Sequence, residues 1–349
     1  MLECREELWD GFLHETFSQR RWSTYGRLGW RLCRCYARLV WRYQRLEEHQ
    51  WVIVGYAGYL DILLARLLTW RRRRLALVAF ISLYDTIVSD RGQLPAKSWK
   101  ARMVKLFERL GFSWADLVVV DTLEHGRFLA ELYGLPPGKF RRSFVGEDDE
   151  VFRPLPLPAA SAVFRVLFFG TYVPLHGVDT VVAAAACLRE VAGLELVLIG
   201  KGQLYPQIRQ EADLLQLPNL QFIDQWMSPE RLREEVARAD VCLGIFGETP
   251  KAARVIPLKV FDALALGRPI ITRDSPAIRE LLEHEKNALL CPPGDGAALA
   301  KAILRLKEDP VLAESLARSG RACFAEHAAP EAVGRALLAN LERSVERRA

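Results

Sequence analysis

The sequence predicts an α/β protein built from two Rossmann-like parallel sheets, one in each half of the chain. Three observations carry this. Short runs that are apolar throughout alternate with helical patterns, as parallel strands covered on both faces require. The alternation occurs as two separate series. A Pro/Ala-rich stretch from Leu155 to Ser161 divides them, and 349 residues suit two domains.

Residues 20–45 read as a helix ahead of the first series. Arg27, Arg31, Arg34, Arg38, Arg42 and Arg45 recur at steps of three and four, beside Leu28, Leu32, Tyr36, Leu39, Val40 and Tyr43. Such a helix either lies on an anionic membrane or presents a solvated face. Arg71-Arg72-Arg73-Arg74 forms a second basic cluster. Strands are expected at Trp51–Gly55, Leu75–Ile81 and Ala115–Val120, with helices over 61–70, 100–110 and 124–133. The second series opens with the strand Val166–Phe169, a turn from Gly170 to Gly177 and a helix over 178–190. Strands follow at Leu194–Ile199, ending in Gly200-Lys201-Gly202, and at Leu220–Ile223. A helix over 230–238 comes next, and helices at 297–307, 311–324 and 331–346 close the chain.

The chain is organised around the stretch Ile245–Thr272, which leaves one buried strand and enters another. Between them Pro257 suits a helix start, Val260, Phe261, Leu264 and Ala265 keep helical spacing, and Gly267 is placed to end the helix. A helix N-terminus favours acids in its first turn. Here Lys259 sits in that turn and Arg254 just precedes it, with no acid between Glu248 and Asp262, in a loop that also holds Lys251. Either an anion joins these cations and the free N–H groups, which makes a phosphate or diphosphate seat, or the side chains point into solvent.

Composition narrows the classes. A net charge of +5 implies a local basic surface, and no nucleic-acid partner is expected. Seven scattered cysteines without Cys-x-x-Cys leave no zinc site or disulfide framework and suit a reducing cytoplasm. No signal peptide opens the sequence, and no run approaches the roughly 20 apolar residues of a membrane span. No Gly-x-Gly-x-x-Gly follows a strand, which argues against a dehydrogenase.

Together, several segments resemble the family 4 glycosyltransferases of GT-B architecture. Gly170 to Gly177 matches the glycine-bounded turn opening the family's donor domain. Leu198-Ile199-Gly200-Lys201-Gly202 matches its strand-to-glycine turn, and Ala239–Leu243 the segment leading to the donor loop. Asp262-Ala263-Leu264-Ala265-Leu266-Gly267-Arg268-Pro269-Ile270-Ile271 resembles its Glu-Ala-x-Ala-x-Gly-x-Pro signature. Asn287 to Asp295 resembles the closing motif, and Gly146-Glu147-Asp148 with Phe152-Arg153-Pro154 the hinge. The resemblance implies two doubly wound parallel-sheet domains facing a cleft. The expected boundaries are an acceptor-side domain over 1–154, a linker over 155–162, a nucleotide-sugar donor domain over 163–327, and a helix over 328–349 that packs back on the first domain. The first strand and Gly-rich turn of the family are not found before Trp51, so a shortened first domain is expected.

The resemblance implies a metal-independent, retaining transferase. Its co-substrate is a nucleotide-diphosphate sugar, its acceptor is lipid-linked, polysaccharide or other, and it needs no further cofactor. No Asp-x-Asp stands at a loop suited to Mg²⁺. The family's Arg and Lys in the first turn fall on Thr171 and His176, so Arg254 and Lys259 are the expected catalytic cations that grip the diphosphate. Gly170, Thr171, Gly177, Gly200 and Gly202 either admit donor backbone contacts or serve only as turn chemistry. His176 binds donor or caps its helix. Glu248 and Asp262 are expected on sugar or ribose hydroxyls, though Asp262 could be a solvated carboxylate. Ile223 and Met227 bracket the expected base site. Asp85 is the candidate acceptor-side base, or one group of a polar loop with Tyr84, Asp90 and Arg91. The expected location is cytoplasmic, with peripheral attachment to the inner membrane face through the basic helix. A non-catalytic nucleotide-sugar-binding or scaffold protein is the alternative, and a sugar-nucleotide epimerase on the same fold suits the few histidines poorly.

Overall fold

The computed structural model describes residues 2–4, 22–55, 58–59, 61–70, 73–155, 163–225 and 227–346. Residues 156–162 of the expected linker, and Arg71 and Arg72, lie outside these.

A helix α1 (Trp22–Tyr43) precedes the first sheet. That sheet comprises β1 (Trp51–Val54), β2 (Arg74–Val78), β3 (Leu117–Val120) and β4 (Phe140–Arg142), all parallel and in that spatial order among the described residues. Successive right-handed crossovers in one direction place their helices on one face. These are α2 (Asp61–Thr69), α3 (Trp99–Trp114) and α4 (Leu123–Tyr133). Ile62, Phe112 and Leu129 from the three helices meet Leu75, Leu77, Val118 and Val120 in one core. The opposite face is covered from the far end of the sequence. Helix α11 (Pro330–Glu346) sets Leu337 and Leu341 against Ala76, Leu117 and Val119. Its Asn340 Nδ2 donates to the Arg142 carbonyl at 2.8 Å.

The second sheet has six parallel strands: β5 (Phe164–Phe169), β6 (Leu194–Ile199), β7 (Leu220–Ile223), β8 (Val241–Leu243), β9 (Ile270–Arg273) and β10 (Leu289–Cys291). Their spatial order is β10-β9-β8-β5-β6-β7, doubly wound, with the winding reversing between β5 and β8. Helices α5 (Val178–Cys187), α6 (Tyr205–Leu215) and α9 (Gly296–Glu308) cover one face. Helices α7 (Pro229–Ala237), α8 (Leu258–Ala265) and α10 (Pro310–His327) cover the other.

Several elements differ from the sequence reading. Pro257 is the N-cap of α8, with extended backbone at ψ 150°, and the helix begins at Leu258. The expected strands Leu75–Ile81 and Ala115–Val120 narrow to β2 and β3. Strand β4, only three residues long, and helix α6, whose Tyr205, Ile208, Ala212 and Leu215 do recur at helical spacing, were not expected. Arg73 and Arg74 do not form a free basic cluster. Arg73 donates to the His49 carbonyl, and Arg74 donates to the Ser344 carbonyl at 2.9 Å beside the Trp51 ring. The polar loop after β2 holds a π-helix over Asp85–Asp90, a form that concentrates at functional sites. Its entry is fixed by Glu108 of α3. That buried carboxylate accepts from Ser82 Oγ at 2.9 Å, Leu83 N at 2.6 Å and Tyr84 N at 3.0 Å.

Candidate functional site

In an open α/β sheet, ligands bind beyond the carboxyl ends of the strands where the winding reverses. Here that point lies between β5 and β8. The turn from Gly170 leaves β5, and the basic loop leaves β8. Three loops there stack backbone on backbone. A Cβ on Gly200 would lie 2.1 Å from the Gly170 carbonyl oxygen, and one on Gly202 would lie 2.5 Å from Tyr172 N. One on Gly177 would lie 2.3 Å from Gly247 N. These three glycines are accounted for by close packing of the loops. Gly170 is different. Its φ of 137° excludes ordinary side chains, and the space over its Cα is taken by Lys259 Nζ, 2.9 Å from where a Cβ would sit.

Lys259 occupies the first turn of α8 and is only 5% exposed. Its ammonium lies 3.8 Å from the centre of the Phe168 ring and has no hydrogen-bond partner. Burial pulls its pKa from 10.5 down to about 7, against a weaker opposing pull from Asp262. No acid stands in the first turn of α8, and no side chain caps its N–H groups. An unpartnered buried cation at an uncapped helix N-terminus is an arrangement that favours an anion.

His176 completes one wall and does not cap α5, whose N-cap is Gly177 without a side-chain bond. Its Nδ1 bonds the Thr171 carbonyl. A carbonyl only accepts, so Nδ1 carries the proton and Nε2 is left with a lone pair. Burial, followed by the charge of Lys259, holds His176 well below its usual pKa and so neutral. Arg273, at the end of β9, donates to the Gly247 carbonyl and steadies the loop after β8. Glu248 stands exposed at the mouth, filling the space over Gly294.

The two expected cations do not converge on one ligand. Arg254 turns to the first lobe, where Nη2 donates to Asp85 Oδ1 at 3.0 Å and the guanidinium lies 3.7 Å from the centre of the Phe128 ring. Asp85 is 1% exposed and is held in that pair. Lys251 Nζ donates to Thr86 Oγ1 at 2.7 Å, beside the buried Asp90. Burial raises the pKa of Asp90, and Lys251 opposes that rise. The basic loop thus meets the π-helix across the cleft. A second interlobe contact lies next to it. Glu280 accepts from Leu123 N at 2.9 Å and Glu124 N at 3.0 Å, placing a carboxylate on the positive end of α4. Arg142 joins it at 3.1 Å, and Thr122 Oγ1 donates to the Arg254 carbonyl.

The remaining expected residues face the hinge. Asp262 is buried, not solvated, and lies against Glu147 with Oδ1 unpartnered. Burial first, then Glu147, lifts its pKa well above the usual value. Ile223 and Met227 are half-buried and pack on the core that contains Phe144 and Val260. Sequence reasoning did not assign roles to Lys251, Thr86, Thr122 and Glu280. Lys251 had a signal in the basic loop, but Glu280 had none, since its partners lie 157 and 156 residues away. It also missed the buried pair His125 and Asp121, joined at 2.6 Å, although their spacing of four on one chain turn is a readable sign.

Comparison with known proteins agrees with this geometry. Residues 163–309 match the family model described as glycosyl transferases group 1. The amylovoran biosynthesis glycosyltransferase AmsK of Erwinia amylovora is 25% identical over 177 residues, covering 50% of this chain and 44% of that protein. The D-inositol 3-phosphate glycosyltransferase of Acidothermus cellulolyticus is 29% identical, covering 58% of this chain and 48% of its own. The chain therefore spans about half the length of the curated relatives it matches. Among solved structures, Anabaena Alr3699/HepE in complex with UDP superposes with a TM-score of 0.67 at 15% identity, covering 89% of this chain and 82% of that one. Sucrose-phosphate synthase of Thermosynechococcus elongatus gives 0.66 at 21% identity, covering 91% and 80%. Two parallel sheets give the chain a GT-B fold, and its second lobe, over 163–309, is similar to the family of glycosyl transferases group 1.

Proposed function

We propose that the chain transfers a sugar from a nucleotide-diphosphate sugar to a lipid-linked or polysaccharide acceptor, with retention of configuration and without a metal ion. The observation that carries this reading is Lys259, a buried ammonium with no hydrogen-bond partner at an uncapped helix N-terminus. As the sugar bond breaks, negative charge grows on the diphosphate. A cation already desolvated beside it favours that state over the ground state. Lys259 and the first N–H groups of α8 take the diphosphate, and Gly170 and Thr171 let backbone approach it. Glu248 and Asp262 take hydroxyls, and the base lies toward Ile223 and Met227. Arg254, committed to Asp85, holds the basic loop against the acceptor lobe. Lys259 supplies the positive charge that a metal would bring, which supports metal independence. UDP is the first nucleotide to test, because the Anabaena neighbour was solved with it.

The proposed setting is the cytoplasmic face of an anionic membrane. The test is a thermal-shift panel of UDP-, GDP- and ADP-sugars, followed by nucleotide release with and without EDTA. A panel in which no nucleotide stabilises the fold removes the donor seat. Binding with no turnover on lipid-linked or polysaccharide acceptors favours the scaffold alternative.

A further inference from the structure

Helix α3 has two apolar faces. One is buried and carries Ala101, Gly111 and Phe112. The other is exposed and carries Trp99, Met103, Leu106, Phe107, Leu110 and Trp114, with Trp99 at 71% exposure and Leu106 at 48%. At about 100° per residue these six project within an arc of about 100°. Lys100 borders the arc on one side, and Arg102 and Arg109 border it on the other. Lys105 stands one step further round and lies over the Tyr84 ring. The sole acid from Arg91 to Ala115 is Glu108, and it is turned inward to the loop at Ser82. Beside this face, Leu67 of α2 and Trp70 just past the end of α2 are exposed. Arg66 of α2 donates to the Trp114 carbonyl at 3.0 Å and joins the two helices there. The surface continues toward the cleft through exposed Ile81 and Leu83, just ahead of Asp85.

We propose that this outer face of α3 is the surface by which the protein docks on an anionic lipid bilayer. The inference deepens the proposed membrane setting and rests on it for the acceptor, but not for the contact itself. The chemistry singles out a lipid surface. A tryptophan stands at each end of the helix on this face, where its ring can sit at headgroup depth. Cationic stems flank the arc so that their heads can reach lipid phosphates. A second copy of the chain would set one basic rim against another. No described helix is long and apolar enough to cross a membrane, so the helix lies in the interface plane. The same surface leads an acceptor with a lipid tail past Ile81 and Leu83 to the cleft.

The test is co-sedimentation of the full chain with phosphatidylcholine vesicles containing about 30% phosphatidylglycerol, beside vesicles of phosphatidylcholine alone. Wild type pellets with the anionic vesicles and less so as salt rises. The double variant Phe107→Asp/Leu110→Asp and the charge variant Lys100→Glu/Arg109→Glu each lose binding by about tenfold or more. Trp99→Ala gives a smaller loss and serves if the double variant does not fold. An unchanged nucleotide-induced thermal shift in these variants separates the docking surface from the donor seat. A wild type that ignores anionic vesicles overturns the proposal. So do α3 variants that bind as wild type while Arg34→Glu/Arg38→Glu on α1 does not. A concentration-dependent dimer that the α3 variants abolish, with no vesicle binding, overturns it in favour of self-association.

Discussion

Replacing Lys259 by Met should stabilise the empty protein and disable its anion seat. Burial moves the lysine from 10.5 to about 7, which at roughly 1.4 kcal/mol per unit is about 5 kcal/mol held against folding. Water entering the empty seat and the lost contact with the Phe168 face reduce what the variant recovers. A gain of about 2–4 kcal/mol remains, or roughly 3–5 °C in Tm. The sign with pH is a second readout. The folded lysine releases its proton near 7, and the unfolded one keeps it to 10.5. Between those values the unfolded state binds more protons, so wild-type stability rises with pH across that window and is flat below it. The Met variant loses the rise.

Ligand binding moves the opposite way. A charge-assisted hydrogen bond to phosphate contributes about 1.5–3 kcal/mol, so the variant should bind a nucleoside diphosphate roughly 10- to 150-fold more weakly. Differential scanning calorimetry at several pH values, with and without UDP, measures both effects. A Met variant that is less stable than wild type, and whose nucleotide-induced shift is undiminished, would show that Lys259 is an ordinary core residue.

Three further outcomes are expected. Titration calorimetry near pH 8 in buffers of different ionisation enthalpy should show proton uptake on diphosphate binding, since the ligand restores the charge of Lys259; no buffer dependence contradicts that coupling. Gly170→Ala should abolish the nucleotide-induced thermal shift, because both φ and Lys259 Nζ oppose a Cβ there; an unaltered shift would place the ligand elsewhere. Asp85→Asn should destabilise by roughly 3 kcal/mol in urea unfolding by leaving Arg254 without its partner, while the nucleotide-induced shift persists; loss of that shift would put Arg254 back on the diphosphate.

The sequence made the second lobe more legible than the first for a physical reason. Its strands are continuous apolar runs bounded by glycines, demanded by backbone packing at Gly177, Gly200 and Gly202 and by a positive φ at Gly170. Such a pattern is local. The basic loop was also visible, but its division of labour was not. Lys251, Arg254 and Lys259 look alike along the chain, and their fates depend on partners far away. Asp85, 169 residues distant, takes Arg254. Thr86 takes Lys251. Lys259 is left under Gly170 with only an aromatic face.

That separation gives the site its logic. If Arg254 and Lys259 had both pointed into one unoccupied seat, their mutual repulsion in a desolvated site would have opposed folding. Pairing one cation across the cleft confines the uncompensated charge to a single ammonium, whose depressed pKa lets it shed part of that charge near neutrality. The same pairing ties the basic loop to the π-helix, and Glu108 of α3 fixes that π-helix from behind through Ser82, Leu83 and Tyr84. One chain of contacts therefore runs from the outer face of α3 through Glu108 to Asp85, and from there to Arg254 at the entrance of the helix that carries Lys259. A contact that displaced α3 would reach Ser82, Leu83 and Tyr84 before Asp85 and Arg254, so the outer face of α3 and the buried Lys259 are joined through one chain of contacts.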